Sequence, residues 1–98
     1  MTTVQYKAGN YQIGASATQE FTFWWEPGDG PEYFDVSIAP IVDDKYPPQR
    51  LPLIEVQRGY ILDTSVYPYG KMVLLLTLRN DNDFPVGFIA NHVRIYDY

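Results

Sequence analysis

Hydrophobic side chains recur at every second position through most of this chain, and Gly, Pro, Asn and Asp interrupt them at short intervals. Successive residues of a strand point to opposite faces, so period-two alternation marks strands that bury one face. No stretch shows a helical period of useful length. Eight strand segments stand out. Segment 2–7 alternates through Val4 and Tyr6. Segment 10–17 alternates through Tyr11, Ile13 and Ala15, with Gly14 as a weak point. In 18–26 the inward set is Phe21, Phe23 and Trp25, and in 33–42 it is Phe34, Val36 and Ile38, with Pro40 ending the ladder. Segment 51–57 puts Ile54 and Val56 inward and Glu55 and Gln57 outward. Gly59 breaks it from 60–66. The strongest segment is 71–79, and 86–96 closes the chain. The joints at 27–32, 43–50, 67–70 and 80–85 carry the usual turn residues.

Seven to eight short strands joined by turns predict an all-β fold, a two-sheet antiparallel β-sandwich. This succession of strands resembles the layout of immunoglobulin-like and fibronectin type III domains. The layout alone carries the resemblance, because the Cys…Trp…Cys pattern of immunoglobulin domains is absent. At 98 residues the chain is the size of one domain, residues 1–98. A hydrophobic fraction of 46% is enough to build a core rather than a disordered chain.

Two features are not explained by a core. The first is the doublet in "EFTFWW" (20–25). If Trp25 faces inward, Trp24 faces outward. A hairpin through 27–32 would set Trp24 opposite Asp35 with Tyr33 diagonal to it, and Trp25 opposite Phe34. An outward Trp and Tyr beside a carboxylate suit a sugar, whose C–H face stacks on the ring while the acid takes hydroxyl hydrogen bonds. They equally suit a protein hot spot. The second is the outer face of 71–79. Met72, Leu74, Leu76 and Leu78 supply the core face, yet Val73 and Leu75 sit on the other. Apolar residues there are covered by a loop, sit singly in solvent, or form a contact surface for another subunit or partner.

Tyr67 and Tyr69 frame a proline turn, and Tyr46 lies on the 43–50 loop. Tyr67 is a candidate ligand contact at a loop tip, whereas Tyr69 reads as a corner tie. Asn80, Asp81, Asn82 and Asp83 are four oxygen-bearing side chains in a row. Asp81 and Asp83, with Asp43 and Asp44, are a weak candidate Ca²⁺ set, because the spacing fits no EF-hand loop and these residue types are ordinary in turns.

Chemistry is otherwise thinly represented. The chain has no cysteine, which excludes disulfides, thiolate metal sites and a cysteine nucleophile. His92 is the single histidine, expected as a polar residue on an edge strand. No nucleophile motif surrounds Ser37 or Ser65. The expectation is a chain without enzymatic activity. Seven Lys and Arg against twelve Asp and Glu, a net charge of −5, leave no basic footprint for nucleic acid or anionic lipid. The longest apolar run, 72–78, is too short for membrane insertion. The N-terminus shows no signal-peptide pattern, consistent with a cytoplasmic protein or release by a non-classical route. The sequence therefore points to a recognition module, lectin-like or adhesive, for carbohydrate or a protein surface. The alternative is a structural subunit of a homo-oligomer or particle.

Overall fold

The computed structural model describes residues 2–25, 32–41, 45, 50–65 and 70–97. Among them lie six strands and no helix: β1 (Thr3–Ile13), β2 (Thr18–Trp24), β3 (Glu32–Pro40), β4 (Leu53–Asp63), β5 (Lys71–Asn80) and β6 (Val86–Tyr96). They form two antiparallel three-stranded sheets, ordered β1-β6-β3 and β2-β5-β4.

The strand count is six rather than seven or eight because two pairs of segments fuse. Segments 2–7 and 10–17 are one strand, β1, which pairs without interruption from Thr3↔Tyr96 to Ile13↔Val86. Its apolar residues change face midway. Tyr11 and Ile13 share the face of Phe88 and Val86, while Val4 and Tyr6 lie on the opposite, exposed face. Gly9 does not end the strand, because the Tyr11 ring occupies the space its side chain would fill. A Cβ at Gly9 would stand 3.0 Å from Tyr11 Cε2. Segments 51–57 and 60–66 likewise fuse into β4, with Gly59 paired to Leu75 inside it. A bulge between Glu55 and Gln57 shifts the register. The expected facing is corrected there. Ile54 pairs with Arg79 on the outer face, Glu55 pairs with Leu78 on the core side, and Val56 is exposed.

One buried cluster joins the two sheets. Leu74, Leu76 and Leu78 of β5 meet Phe23 of β2, Phe34 and Val36 of β3, Val86, Phe88 and Ala90 of β6, and Ile13. Each fully buried large side chain contributes about 1.5–3 kcal/mol. Tyr11 bridges the sheets, its ring stacked on Phe88 at 5.7 Å and edge-on to Phe23 at 5.3 Å. The central strands β5 and β6 carry most of this core, since each is flanked by a strand on both sides.

Segment 80–85 is a polar turn as expected, but its residues divide by chemistry. Asn80 and Asn82 are buried, and their neighbours Asp81 and Asp83 are exposed. The Asn80 amide donates to the carbonyls of Gly14 (3.0 Å) and Phe84 (2.9 Å). Its oxygen accepts from the backbone N–H and side-chain amide of Asn82. Asn82 in turn grips both backbone groups of Leu51, at 2.8 and 2.9 Å. An amide donates and accepts at once. These two side chains therefore tie the β5–β6 turn to the β1–β2 turn and to the approach of β4.

Candidate functional site

The doublet divides as alternation requires. Phe21, Phe23 and Trp25 pack at the core, and Trp24 is 47% exposed. Its neighbours differ from those expected. β2 and β3 do not form a hairpin. β2 pairs with β5 and β3 with β6, so Trp24 lies opposite Val73, while Asp35 lies opposite Val93 in the other sheet. Trp25 lies just past the end of β2, and Phe34 pairs with Arg94 in the other sheet. The reason is that alternation specifies which face of a strand is buried, not which strand it pairs with.

The antiparallel registers map the outer face of β2-β5-β4 row by row, since directly paired residues share a face. Trp24, Val73 and Ile61 form one row across all three strands, and Thr22, Leu75 and Gly59 form the next. Ile61 is 51% exposed, and Val73 and Leu75 are half-buried. Gly59 leaves a dent beside Leu75, because a Cβ placed there would meet no atom within 4 Å. Polar rows close both ends. Lys71 and Asp63 lie above, and Glu20, Thr77 and Gln57 lie below. The Lys71 ammonium is 5.2 Å from the centre of the Trp24 ring, a cation–π contact worth about 0.5–1 kcal/mol at an exposed site. Asp63 has its carboxyl pulled below the usual range by hydrogen bonds from the Ser65 hydroxyl and N–H, so it stays charged at the rim. The result is an apolar centre with a polar border, the anatomy of a contact face.

Tyr33 and Asp35 belong to a second constellation at the opposite margin, where the edge strands β3 and β4 approach each other. Asp35 Oδ1 accepts from Arg58 Nη1 (2.6 Å), the Tyr60 hydroxyl (2.9 Å) and the Val36 N–H (2.8 Å). Its Oδ2 accepts from the Tyr33 hydroxyl at 3.0 Å. Arg58 also donates to Glu55 and, through Nη2, to the Val36 carbonyl at 2.9 Å. Burial pushes the Asp35 carboxyl up. The Val36 N–H, the two tyrosine hydroxyls and Arg58 together outweigh that, and its pKa ends below the ordinary value. The Tyr33 hydroxyl is raised by donating to that carboxylate and by its charge. Tyr60 is raised by burial and then by the same acid. Beside this clasp an open cleft of about 460 Å³ is lined by Ser37, Ile38, Pro40, Leu53, Glu55 and Leu78, among others. The Asp35 oxygens are already committed to internal donors. The clasp therefore reads first as a closure joining the two sheets at this edge.

Arg58, Tyr60 and Ile61 were not singled out from the sequence, and Gly59 was read only as a break. Arg58 and Tyr60 are two apart in a strand and so face one way, which was visible. Their partner Asp35 is more than twenty residues distant, which was not.

His92 is corrected from an edge residue to a core residue. β6 is the central strand of its sheet, and His92 is 3% exposed, edge-on to Phe23 at 5.2 Å and near Phe34 at 6.1 Å. Among the described residues neither ring nitrogen has a hydrogen-bond partner. Burial, and then the charge of Lys7, lower its pKa.

Tyr67, with Tyr46, Tyr69, Asp43 and Asp44, lies outside the described residues. Asp81 accepts from Arg79 Nε at 3.0 Å. Among the described residues no three His, Cys, Asp or Glu side chains gather as a metal set. No protein-family model, curated protein or solved structure matches the chain.

Proposed function

We propose that the chain is a non-enzymatic recognition module that engages a protein surface through the outer face of β2-β5-β4. In this reading the two sheets make one β-sandwich domain, and its flat apolar side is the working surface. The observation that carries it is the cross-strand row Trp24–Val73–Ile61, with Leu75 and the Gly59 dent directly beside it. A half-exposed Trp beside three aliphatic side chains is what the centre of a protein interface uses. Trp supplies large buried area with few torsions to fix, and the polar rim excludes water around it.

A protein surface is favoured over carbohydrate by the partition of polar groups. A sugar site wants carboxylates and hydroxyls converging on the aromatic ring. Here Tyr33 and Asp35 lie on the other sheet, and the four donors on Asp35 already use its acceptor capacity. The alternative, a structural subunit of a homo-oligomer, would use the same Val73 and Leu75 face against a second copy.

The test is affinity capture with the immobilised chain, paired with light scattering. Substituting Trp24→Ala or Leu75→Glu is expected to weaken capture of the bound protein at least 100-fold, while Asp35→Asn leaves it unchanged. Capture that survives both face variants would refute the assignment. A multimer mass that Leu75→Glu alone dissolves would favour the subunit alternative.

A further inference from the structure

Among the described residues four strands have a free edge in these two sheets: β1 and β3 in one, β2 and β4 in the other. An unpaired edge invites another strand, and proteins blunt such edges with short length, proline, charge or bulges. Three of the four are blunted. β2 has only seven residues and carries Glu20. β3 ends in Pro40, bears Glu32 and Asp35, and has its Val36 carbonyl capped by Arg58. β4 has the bulge at Glu55/Gln57 and carries Glu55, Arg58 and Asp63.

β1 is short of these devices, with one charge, Lys7, and no other. It runs eleven residues, Thr3–Ile13, in one unbroken register, with no proline and no bulge. Among the described residues its one strand neighbour is β6. It is the one edge of the four without a carboxylate. Its single charge, Lys7, is placed over the Trp25 ring at 5.2 Å. Tyr6 stands 77% exposed on its outer face.

We propose that β1 is a dimerisation edge. Two copies of this chain pair β1 with β1, antiparallel about a two-fold axis, and join their β1-β6-β3 sheets into one six-stranded sheet. This surface is separate from the face assigned above and does not rest on it. The occupant follows from charge and length. A chain of net charge −5 repels its own copies, and β1 is the edge where no carboxylates oppose the approach. A two-fold axis guarantees a partner edge of the same length and the same lack of blunting. In the full-length register Ala8 lies on the axis, Tyr6 meets Asn10 and Lys7 meets Gly9. Lysine does not face lysine, and each Tyr6 ring gains a neighbour across the seam.

Sedimentation or light scattering across one to several hundred micromolar tests this. The unaltered chain is expected to approach twice its 11.3 kDa mass. Ala8→Glu brings two like charges together at the axis, and Tyr6→Glu adds two carboxylates nearby. Each is expected to weaken self-association at least tenfold with the circular dichroism and melting of the monomer unchanged, since both side chains are exposed. Leu75→Glu is expected to leave the dimer intact. Amides of 3–13 should exchange more slowly in the unaltered chain than in Ala8→Glu at high concentration. A mass that stays monomeric throughout, a dimer that survives Ala8→Glu, a dimer that Leu75→Glu dissolves, or identical exchange in 3–13 would each overturn the proposal.

Discussion

Replacing His92 by leucine removes a side chain that the core accommodates at a cost. The imidazole is 3% exposed, and among the described residues its donor and its acceptor are both unpaired. An unsatisfied buried polar group costs about 1–3 kcal/mol. Losing the edge-on contact with Phe23 gives back about 0.5–1.5 kcal/mol. The variant is therefore expected to be more stable by roughly 1 kcal/mol at pH 7.5. The pH dependence is the sharper test. Burial and Lys7 hold the folded-state pKa below the ordinary value of about 6.5. The unfolded chain thus takes up the proton first. Stability is full above about pH 6.5 and declines as pH falls toward the folded-state pKa, with a limiting slope of about 1.4 kcal/mol per pH unit. For a domain of this length, 1 kcal/mol corresponds to about 5 °C in Tm. Calorimetry from pH 7.5 to 5.0 should show the unaltered chain losing up to about 7 °C per pH unit below pH 6.5. His92→Leu should be nearly flat there. His92 is the single histidine, and carboxylates titrate lower, so the window is clean. Equal slopes in the two proteins, or a flat profile in the unaltered one, would refute a buried, unpaired imidazole.

Asp35→Asn keeps the shape of the edge clasp but replaces one acceptor oxygen with a donor that faces Arg58 and the tyrosine hydroxyls. Urea denaturation at pH 7 should show a loss of about 1–2 kcal/mol. Because the Asp35 pKa is lowered, its contribution is present above about pH 4 and lost as pH falls, so the difference between the two proteins should shrink steadily below pH 4. Asn82→Ala strands both backbone groups of Leu51 and one acceptor site on Asn80, and should lose about 2–4 kcal/mol by the same assay. Asn82→Asp should fare little better, since a carboxylate cannot donate to the Leu51 carbonyl.

The alternation of "EFTFWW" was enough to send Trp25 to the core and Trp24 to the surface. The same rule set Leu74, Leu76 and Leu78 against Val73 and Leu75 in β5. That much is local: side chains on a pleated strand alternate whatever the strand pairs with. Alternation also misled where the partner mattered. Val4 and Tyr6 resemble a core pair, but β6 carries β1 straight through Gly9, and the register that turns Tyr11 and Ile13 inward leaves them outside. Glu55 lies on the core side because a bulge, invisible in the pattern, shifts β4 by one residue.

By itself, then, the sequence determined the all-β class, the inward and outward faces of most strands, and the oddity of Trp24. Only the tertiary structure decided the neighbours. It placed Trp24 beside Val73 and Ile61 rather than Asp35, gave Asp35 to Arg58 and Tyr60, and put His92 in the core. The physical reason is range. Facing is a property of adjacent peptide units, whereas pairing is settled by burying one common core from two sheets, through contacts between residues far apart in the chain.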